Sequence, residues 1–137
     1  MNCSIIYYSA RKTSFCEKTL KKSFSELGLN LSSAVFATRK DAFGDELIEA
    51  FKQSDIVFTV GGLSFEDSRS ARDAVSQAAA GSDPTLCRRL KNDSGDDGYL
   101  LRAGRQLLVM LPDEPEQIES IMRGTLAAYI KSVEINL

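Results

Sequence analysis

The sequence predicts a three-layer α/β sandwich, a mostly parallel sheet with a small antiparallel hairpin, built by a single domain over 1–137. Three observations predict it. Over residues 3–60, apolar runs rich in β-branched and aromatic residues alternate with helically spaced segments in the order β-α-β-α-β. One of those runs, DIVFTV at 55–60, is nearly continuous, as in a strand buried on both faces. The 137 residues, 43% hydrophobic and 26% charged, amount to one ordinary globular domain with no internal repeat or linker-like stretch.

Residues 3–9 (CSIIYYS) read as the first strand. From Thr13 onward Cys16, Leu20, Phe24 and Leu27 recur at helical spacing with lysines on the other face, and Gly28 stands where a C-terminal cap glycine belongs. Residues 29–38 (LNLSSAVFAT) form the second strand. Leu47, Ile48 and Phe51 mark a short helix beginning near Gly44-Asp45, and 55–60 is the third strand. Beyond Gly61-Gly62 the spacing predicts a helix over 69–80 closed by Gly81. Pro84 interrupts, and 85–91 is expected to add one or two helical turns. NDSGDDG at 92–98 is the most polar and turn-rich stretch, hence an exposed loop. Residues 99–101 and 106–111 (QLLVML) flank Ala103-Gly104 as a hairpin whose second arm is apolar enough for a core strand. Ile118, Ile121, Met122, Leu126, Tyr129, Ile130 and Val133 keep three-four spacing without a break, which predicts one long final helix.

Composition excludes several chemistries. Histidine is absent, which rules out Ser-His-Asp and Cys-His catalysis, His-ligated zinc and imidazole bases. Cys3, Cys16 and Cys87 are scattered and form no C-x-x-C, so they read as buried structural thiols in a reducing compartment. A balance of 17 Lys+Arg against 19 Asp+Glu gives a net charge of −2 and no electrostatic footprint for nucleic acid. The run Arg88-Arg89-Leu90-Lys91 reads as a solvated helical face. No apolar run approaches the roughly 20 residues of a membrane span. The opening MNCSIIYYSARK lacks the layout of a signal peptide, so a cytoplasmic protein without membrane attachment is expected.

In an open parallel sheet, ligands bind beyond the carboxyl ends of the strands, near the point where the strand order reverses. Two strand-to-helix junctions fall there: Thr59-Val60-Gly61-Gly62-Leu63-Ser64 and Leu111-Pro112-Asp113-Glu114-Pro115. Paired glycines let backbone N–H groups approach an anion closely, and a following helix adds its positive end. The same pair also serves as an ordinary tight turn. Carboxylates crowd both loops: Glu66 and Asp67 at the first, Asp113, Glu114 and Glu116 at the second. They are candidates for Mg²⁺, which takes one or two carboxylates together with substrate phosphates. Alternatively, Asp113 with Glu116 starts the last helix as a capping-box-like pair. Arg69, Arg72, Arg102 and Arg105 are candidate phosphate partners.

The two junctions together carry a resemblance. SDIVFTVGG at 54–62, followed by LLVMLPDEPEQI at 107–118, resembles the molybdopterin-binding domain family. That family includes molybdenum-cofactor biosynthesis proteins of the MoaB/Mog type and the N-terminal domain of CinA. In it a buried strand ends in Thr-x-Gly-Gly-Thr-Gly and a later one in Leu-Pro-Gly-x-Pro. The polar loop at 91–98 is similar to an Asn-rich loop of the CinA-like branch, and the resemblance spans roughly 24–130. It implies a MoaB/Mog-like fold, molybdopterin, ATP and Mg²⁺ as ligands, and a homo-oligomer, a trimer favoured, with part of the 118–133 stripe facing a neighbour. By position it implies Thr59, Gly61, Gly62, Leu63, Ser64, Arg69, Pro112 and Glu114 as ligand-binding residues, with Asp67 and Asp113 catalytic and metal-holding.

The sequence also departs from the family pattern. Leu63-Ser64 replaces the second Thr-Gly, and Arg69 stands, in an ungapped reading, where the family has an acid, leaving Asp67 as the nearest carboxylate. Asp113 replaces the Leu-Pro-Gly glycine. Ser9-Ala10-Arg11-Lys12 occupies the place of a Gly-Asp/Thr-Glu-Leu signature. Packing positions are kept while ligand positions are altered. The function expected is binding of a pterin or nucleotide phosphate at the two loops, where better-preserved relatives adenylylate molybdopterin. The alternatives are a non-catalytic oligomerisation or partner-binding remnant and a CinA-like Mg²⁺-dependent nucleotide pyrophosphatase.

Overall fold

The computed structural model describes residues 1–63, 86–92, 95, 97–103 and 105–135. Within them the chain forms β1 (Asn2–Tyr8), α1 (Thr13–Leu27), β2 (Asn30–Ala37), α2 (Lys40–Gln53) and β3 (Ile56–Val60). It continues with β4 (Leu86–Leu90), β5 (Gly98–Ala103), β6 (Gln106–Leu111), α3 (Pro115–Arg123) and α4 (Thr125–Ile135). The six strands make one sheet in the order β2-β1-β3-β6-β5-β4. β1 pairs parallel with β2 and β3, and β3 with β6, whereas β5 runs antiparallel to both β6 and β4.

Strand alternation sorts the core into two layers. Ile5, Tyr7, Phe58, Val60, Val109 and Leu111 pack on one side against Cys16, Leu20 and Phe24 of α1 and Ile118, Met122, Leu126 and Ile130 of α3 and α4. Ile6, Tyr8, Val57, Leu108 and Met110 pack on the other side against Phe43, Leu47 and Ala50 of α2. Every residue of β3 is buried, as the unbroken apolar run requires. Burying one such side chain contributes about 1.5–3 kcal/mol, against at most about 1 kcal/mol for an exposed ion pair, so these two layers hold the sheet.

Three expectations are corrected. The second helix starts at Lys40, ahead of Gly44-Asp45. Phe43 is fully buried one turn before Leu47 while Ile48 is 49% exposed, so the apolar face begins earlier than Leu47, Ile48 and Phe51 suggested. Residues 86–90 are not helical turns but an edge strand, with Cys87 opposite Leu101 and Arg89 opposite Tyr99. A stretch that short cannot meet the cost of helix nucleation, whereas the free edge of β5 supplies ladder partners. Arg88 and Arg89 are therefore exposed charges on a sheet edge, where they oppose edge-to-edge association. Finally, the long last helix is two, broken at Gly124 (φ −83°, ψ −144°), a residue about 1 kcal/mol poorer than Ala in a helix interior. The apolar spacing survives the break because both helices cover the same layer, with Tyr129 packed at its margin. The side chain of Val133, the thiol of Cys87, and the expected helix over 69–80 with Gly81 and Pro84 lie outside the described residues. Among the described residues no helix is long and apolar enough to cross a membrane.

Candidate functional site

Because β1, β3 and β6 are parallel neighbours, their carboxyl ends open at one edge of the sheet. β1 leads through α1 to β2 on one side, and the chain returns past β1 to β3 on the other, so the strand order reverses between β1 and β3. Gly61 ties the three exits together. Its N–H donates to Leu111 O at 3.0 Å. Its φ is +95°, and a Cβ there would lie 2.5 Å from Tyr8 O and 3.0 Å from the Ala10 Cβ. Only glycine meets both demands at once. Gly62 follows at φ +75°, also buried.

The acids after β6 are bonded to the loop after β1. Asp113 Oδ2 accepts the Arg11 backbone N–H at 2.9 Å, and the Arg11 Nε lies 3.7 Å from the same oxygen. Lys12 Nζ donates to both Glu114 oxygens, at 3.1 and 2.9 Å. The expected capping pair is thereby corrected: α3 has Glu114 as its N-cap with no side-chain cap bond. α1, which has no acid in its own first turn and Lys12 as N-cap, receives these two carboxylates instead. Both N-caps thus meet in one ion pair, and anionic groups are favourable at each helix start. The loop holds its shape with Ser9 at φ 47° and Lys12 at φ 55°, left-handed conformations that L-residues rarely adopt. Beneath it Cys16 is fully buried, and its thiol is pushed up to about 11, first by burial and then by the charges of Asp113 and Glu114.

The remaining expected residues divide clearly. Thr59 is fully buried, and among the described residues its hydroxyl has no hydrogen-bond partner; Tyr7, on the neighbouring strand, has a buried hydroxyl in the same condition. Pro112 is buried, and Leu63 packs at the margin of the layer covered by α2. Ser64, Glu66, Asp67, Arg69 and Arg72 lie outside the described residues. Arg102 is opposite Leu107, where β6 begins, so it and Arg105 stand at the other end of the sheet. Arg102 Nη1 donates to Tyr129 OH at 3.3 Å there. The loop between β4 and β5 does reach the candidate edge, since Tyr99 lies opposite Met110 near the end of β6. Asn92 Nδ2 donates to Gln117 Oε1 in α3 at 2.8 Å. Asp97 accepts the Asn92 N–H and pairs with Arg89, and these hydrogen bonds hold its carboxyl below the usual range. A separate groove of about 230 Å³ between α1 and α3 is lined by Lys18, Lys22, Glu119 and Arg123 among others, and by none of the expected site residues.

Sequence reasoning missed Arg11 and Lys12 as partners of the acids. The signal was present: two adjacent cations directly after the first strand, opposite in sign to the two adjacent acids after the last. Asp113 Oδ2 and both Glu114 oxygens are engaged by Arg11 and Lys12, so as arranged these two acids do not present an open set of carboxylate oxygens to Mg²⁺. No group of three metal-binding side chains occurs among the described residues.

The sheet order, the two helical layers and the glycine-tied edge define a class: this chain has the α/β fold of the molybdopterin-biosynthesis proteins and CinA. The CinA protein of unknown function from Thermoplasma acidophilum matches with a TM-score of 0.74 at 18% identity, over 96% of this chain and 97% of its own. Molybdenum cofactor biosynthesis protein B matches at 0.73 and 14% identity, over 99% and 94%. A molybdopterin biosynthesis protein from Mycobacterium abscessus matches at 0.69 and 17%, over 98% and 94%. The likeness extends well beyond the 24–130 stretch that carries the sequence resemblance. No protein-family model matches the chain, and no curated protein matches it in sequence.

Proposed function

We propose that the edge formed by the loops after β1, β3 and β6 binds a small anionic ligand, a pterin or nucleotide phosphate, in a role related to molybdenum-cofactor biosynthesis. The observation that carries this reading is the knot at Gly61. It sets two consecutive left-handed glycines at the reversal of strand order, beside the starts of α1 and α3. Such an edge offers backbone N–H groups and two positive helix ends to an anion. The hydroxyl of Thr59, two residues before Gly61 and unpartnered among the described residues, is a further donor in the same strand end. Solved proteins of this fold described as molybdopterin- or tungsten-cofactor-synthesizing support the ligand class.

Binding, rather than turnover, is the function proposed. Adenylyl transfer to molybdopterin from Mg-ATP, or CinA-like pyrophosphate hydrolysis, calls for carboxylates free to hold a metal. Asp113 and Glu114 are bonded to the β1–α1 loop instead. That observation also favours the second reading, a non-catalytic oligomerisation or partner-binding module. A cytoplasmic homo-oligomer, with a trimer favoured, belongs to the same proposal and is checked by light scattering. The ligand test is thermal unfolding with AMP, ATP, ADP-ribose and an oxidised pterin. A ligand at about 100 times its dissociation constant stabilises by about 2.7 kcal/mol, worth several degrees. A shift with AMP or the pterin is expected. A shift confined to ADP-ribose would favour the pyrophosphatase-like ligand class, and no shift with any of the four leaves the second reading.

A further inference from the structure

We infer that Lys12 is the resident cation of the Asp113–Glu114 pair, holding divalent metal away from it, so that this edge takes its anionic ligand without a divalent ion. The inference rests on the reading above for the ligand but on the loop geometry alone for the metal.

The ion pair is built by a backbone committed to it. Lys12 sits at φ 55° and ψ 35° as the N-cap of α1, with Ser9 left-handed at the other end of the same short loop. Ala10 between them lies against Gly61, and the Arg11 N–H is bonded to Asp113. The loop is therefore pinned on both sides, by β3 through Ala10 and by the β6 exit through Arg11. In that position the ammonium contacts both oxygens of Glu114, the two atoms a metal would need. Mg²⁺ demands a near-octahedral set of oxygens at about 2.0–2.1 Å and gives up its water reluctantly. It would have to displace a tethered ammonium or accept a positive charge beside it. The adjacent carboxylate is engaged as well, because Asp113 Oδ2 accepts the Arg11 backbone N–H at 2.9 Å and lies 3.7 Å from the Arg11 Nε. The charges lie close enough together for the Cys16 thiol under the loop to respond to Asp113, Glu114 and Lys12 alike. An ammonium in place of a metal also leaves the ligand's phosphate to be met by backbone N–H groups and the side chains of Arg11 and Lys12, all single positive charges or dipoles.

The experiment is a Mn²⁺ titration of the full chain, read by the paramagnetic signal of free Mn²⁺, on the wild type, Lys12→Gln, Lys12→Arg and the double variant Lys12→Gln with Glu114→Gln. Circular dichroism verifies that each is folded; Lys12 is half exposed and its side chain buries no core. The wild type and Lys12→Arg are expected to leave Mn²⁺ free, and Lys12→Gln to bind it at least about tenfold more tightly, a gain lost in the double variant. Wild-type Mn²⁺ binding equal to that of Lys12→Gln overturns the inference, as does a gain in Lys12→Gln that persists in the double variant. AMP binding by the wild type in EDTA and in Mg²⁺ then separates the two readings. Binding equal in both supports the inference, and binding that requires Mg²⁺ overturns it while keeping the ligand reading. Absence of AMP binding in both counts against the ligand reading, and the Mn²⁺ result still decides the role of Lys12.

Discussion

Gly61→Ala tests the knot that joins the three loops. Two costs apply at this position and are separable. The first is conformational: at φ +95° an L-residue is disfavoured by about 1–2 kcal/mol. The second is steric. The new Cβ would stand 2.5 Å from Tyr8 O and 3.0 Å from the Ala10 Cβ, and the nearer atom is backbone at the end of a central strand. Forcing such a contact into packed structure costs about 1–3 kcal/mol more. Gly28→Ala is the control, since Gly28 has φ +73° and nothing within 4 Å of its would-be Cβ, so it meets only the first cost. For a chain of this length each kcal/mol moves the Tm by roughly 3–5 °C. Gly28→Ala is thus expected to lower the Tm by about 5 °C and Gly61→Ala by about 10 °C or more. Differential scanning calorimetry on the three proteins reads the difference. Equal losses would show that the approach of Gly61 to Tyr8 is not tight, and with it the convergence of the β1 and β3 exits would fail.

Removal of the orphan hydroxyls should raise stability, because a buried hydroxyl without a partner carries its full desolvation cost. Thr59→Val and Tyr7→Phe are each expected to gain up to about 1 kcal/mol in urea unfolding. If Thr59 serves the ligand, its variant also loses AMP or pterin affinity, whereas a stability loss in either variant would reveal a partner for that hydroxyl. Alkaline pH should be selectively damaging. Burial pushes Cys16 up to about 11 and Cys3 up to about 12 from an ordinary 9.0. Above 9.0 the unfolded chain sheds thiol protons that the folded chain keeps. Stability is therefore intact below that value and falls by at most about 1.4 kcal/mol per pH unit per thiol as pH rises toward the folded values. A Tm profile from about pH 8 to 11 should steepen beyond pH 9 and flatten in Cys16→Ala; an unchanged profile in that variant would remove Cys16 as a cause.

The central strands were legible because burial on two faces leaves an unmistakable mark: IVFTV and QLLVML had no other place to go. α1 was legible from one apolar stripe and one terminal glycine. β4 was not, since its identity comes from the free edge of β5 and not from LCRRL itself. Gly124 was hidden for the opposite reason: the apolar spacing runs straight through it, because two helices on one layer share a single stripe. At the candidate site the glycines and Pro112 could be placed on the correct edge from their strands alone. The partners of Asp113 and Glu114 could not, because a contact between residues 102 positions apart leaves no periodicity behind. The local pattern Asp-x-x-Glu, Asp113 with Glu116, pointed to capping, whereas the structure spends Asp113 together with Glu114 on a different helix.

That substitution changes the electrostatic sense of the edge. Counted as bare acids, Asp113 and Glu114 would repel a phosphate. The loop they hold brings Arg11 and Lys12, which cancel both charges, and the starts of α1 and α3 add about half a positive charge each. With Glu116 in the first turn of α3 counted as well, the described residues leave the edge near neutral instead of acidic, so the field there no longer repels a phosphate. Lys12→Gln should reduce that field by one unit and free Glu114 at the same time, so an anionic ligand loses affinity as a cation gains it. Opposite movements of the two affinities in one variant follow from a tethered counter-ion, and a merely structural ion pair would leave the ligand's salt dependence unchanged.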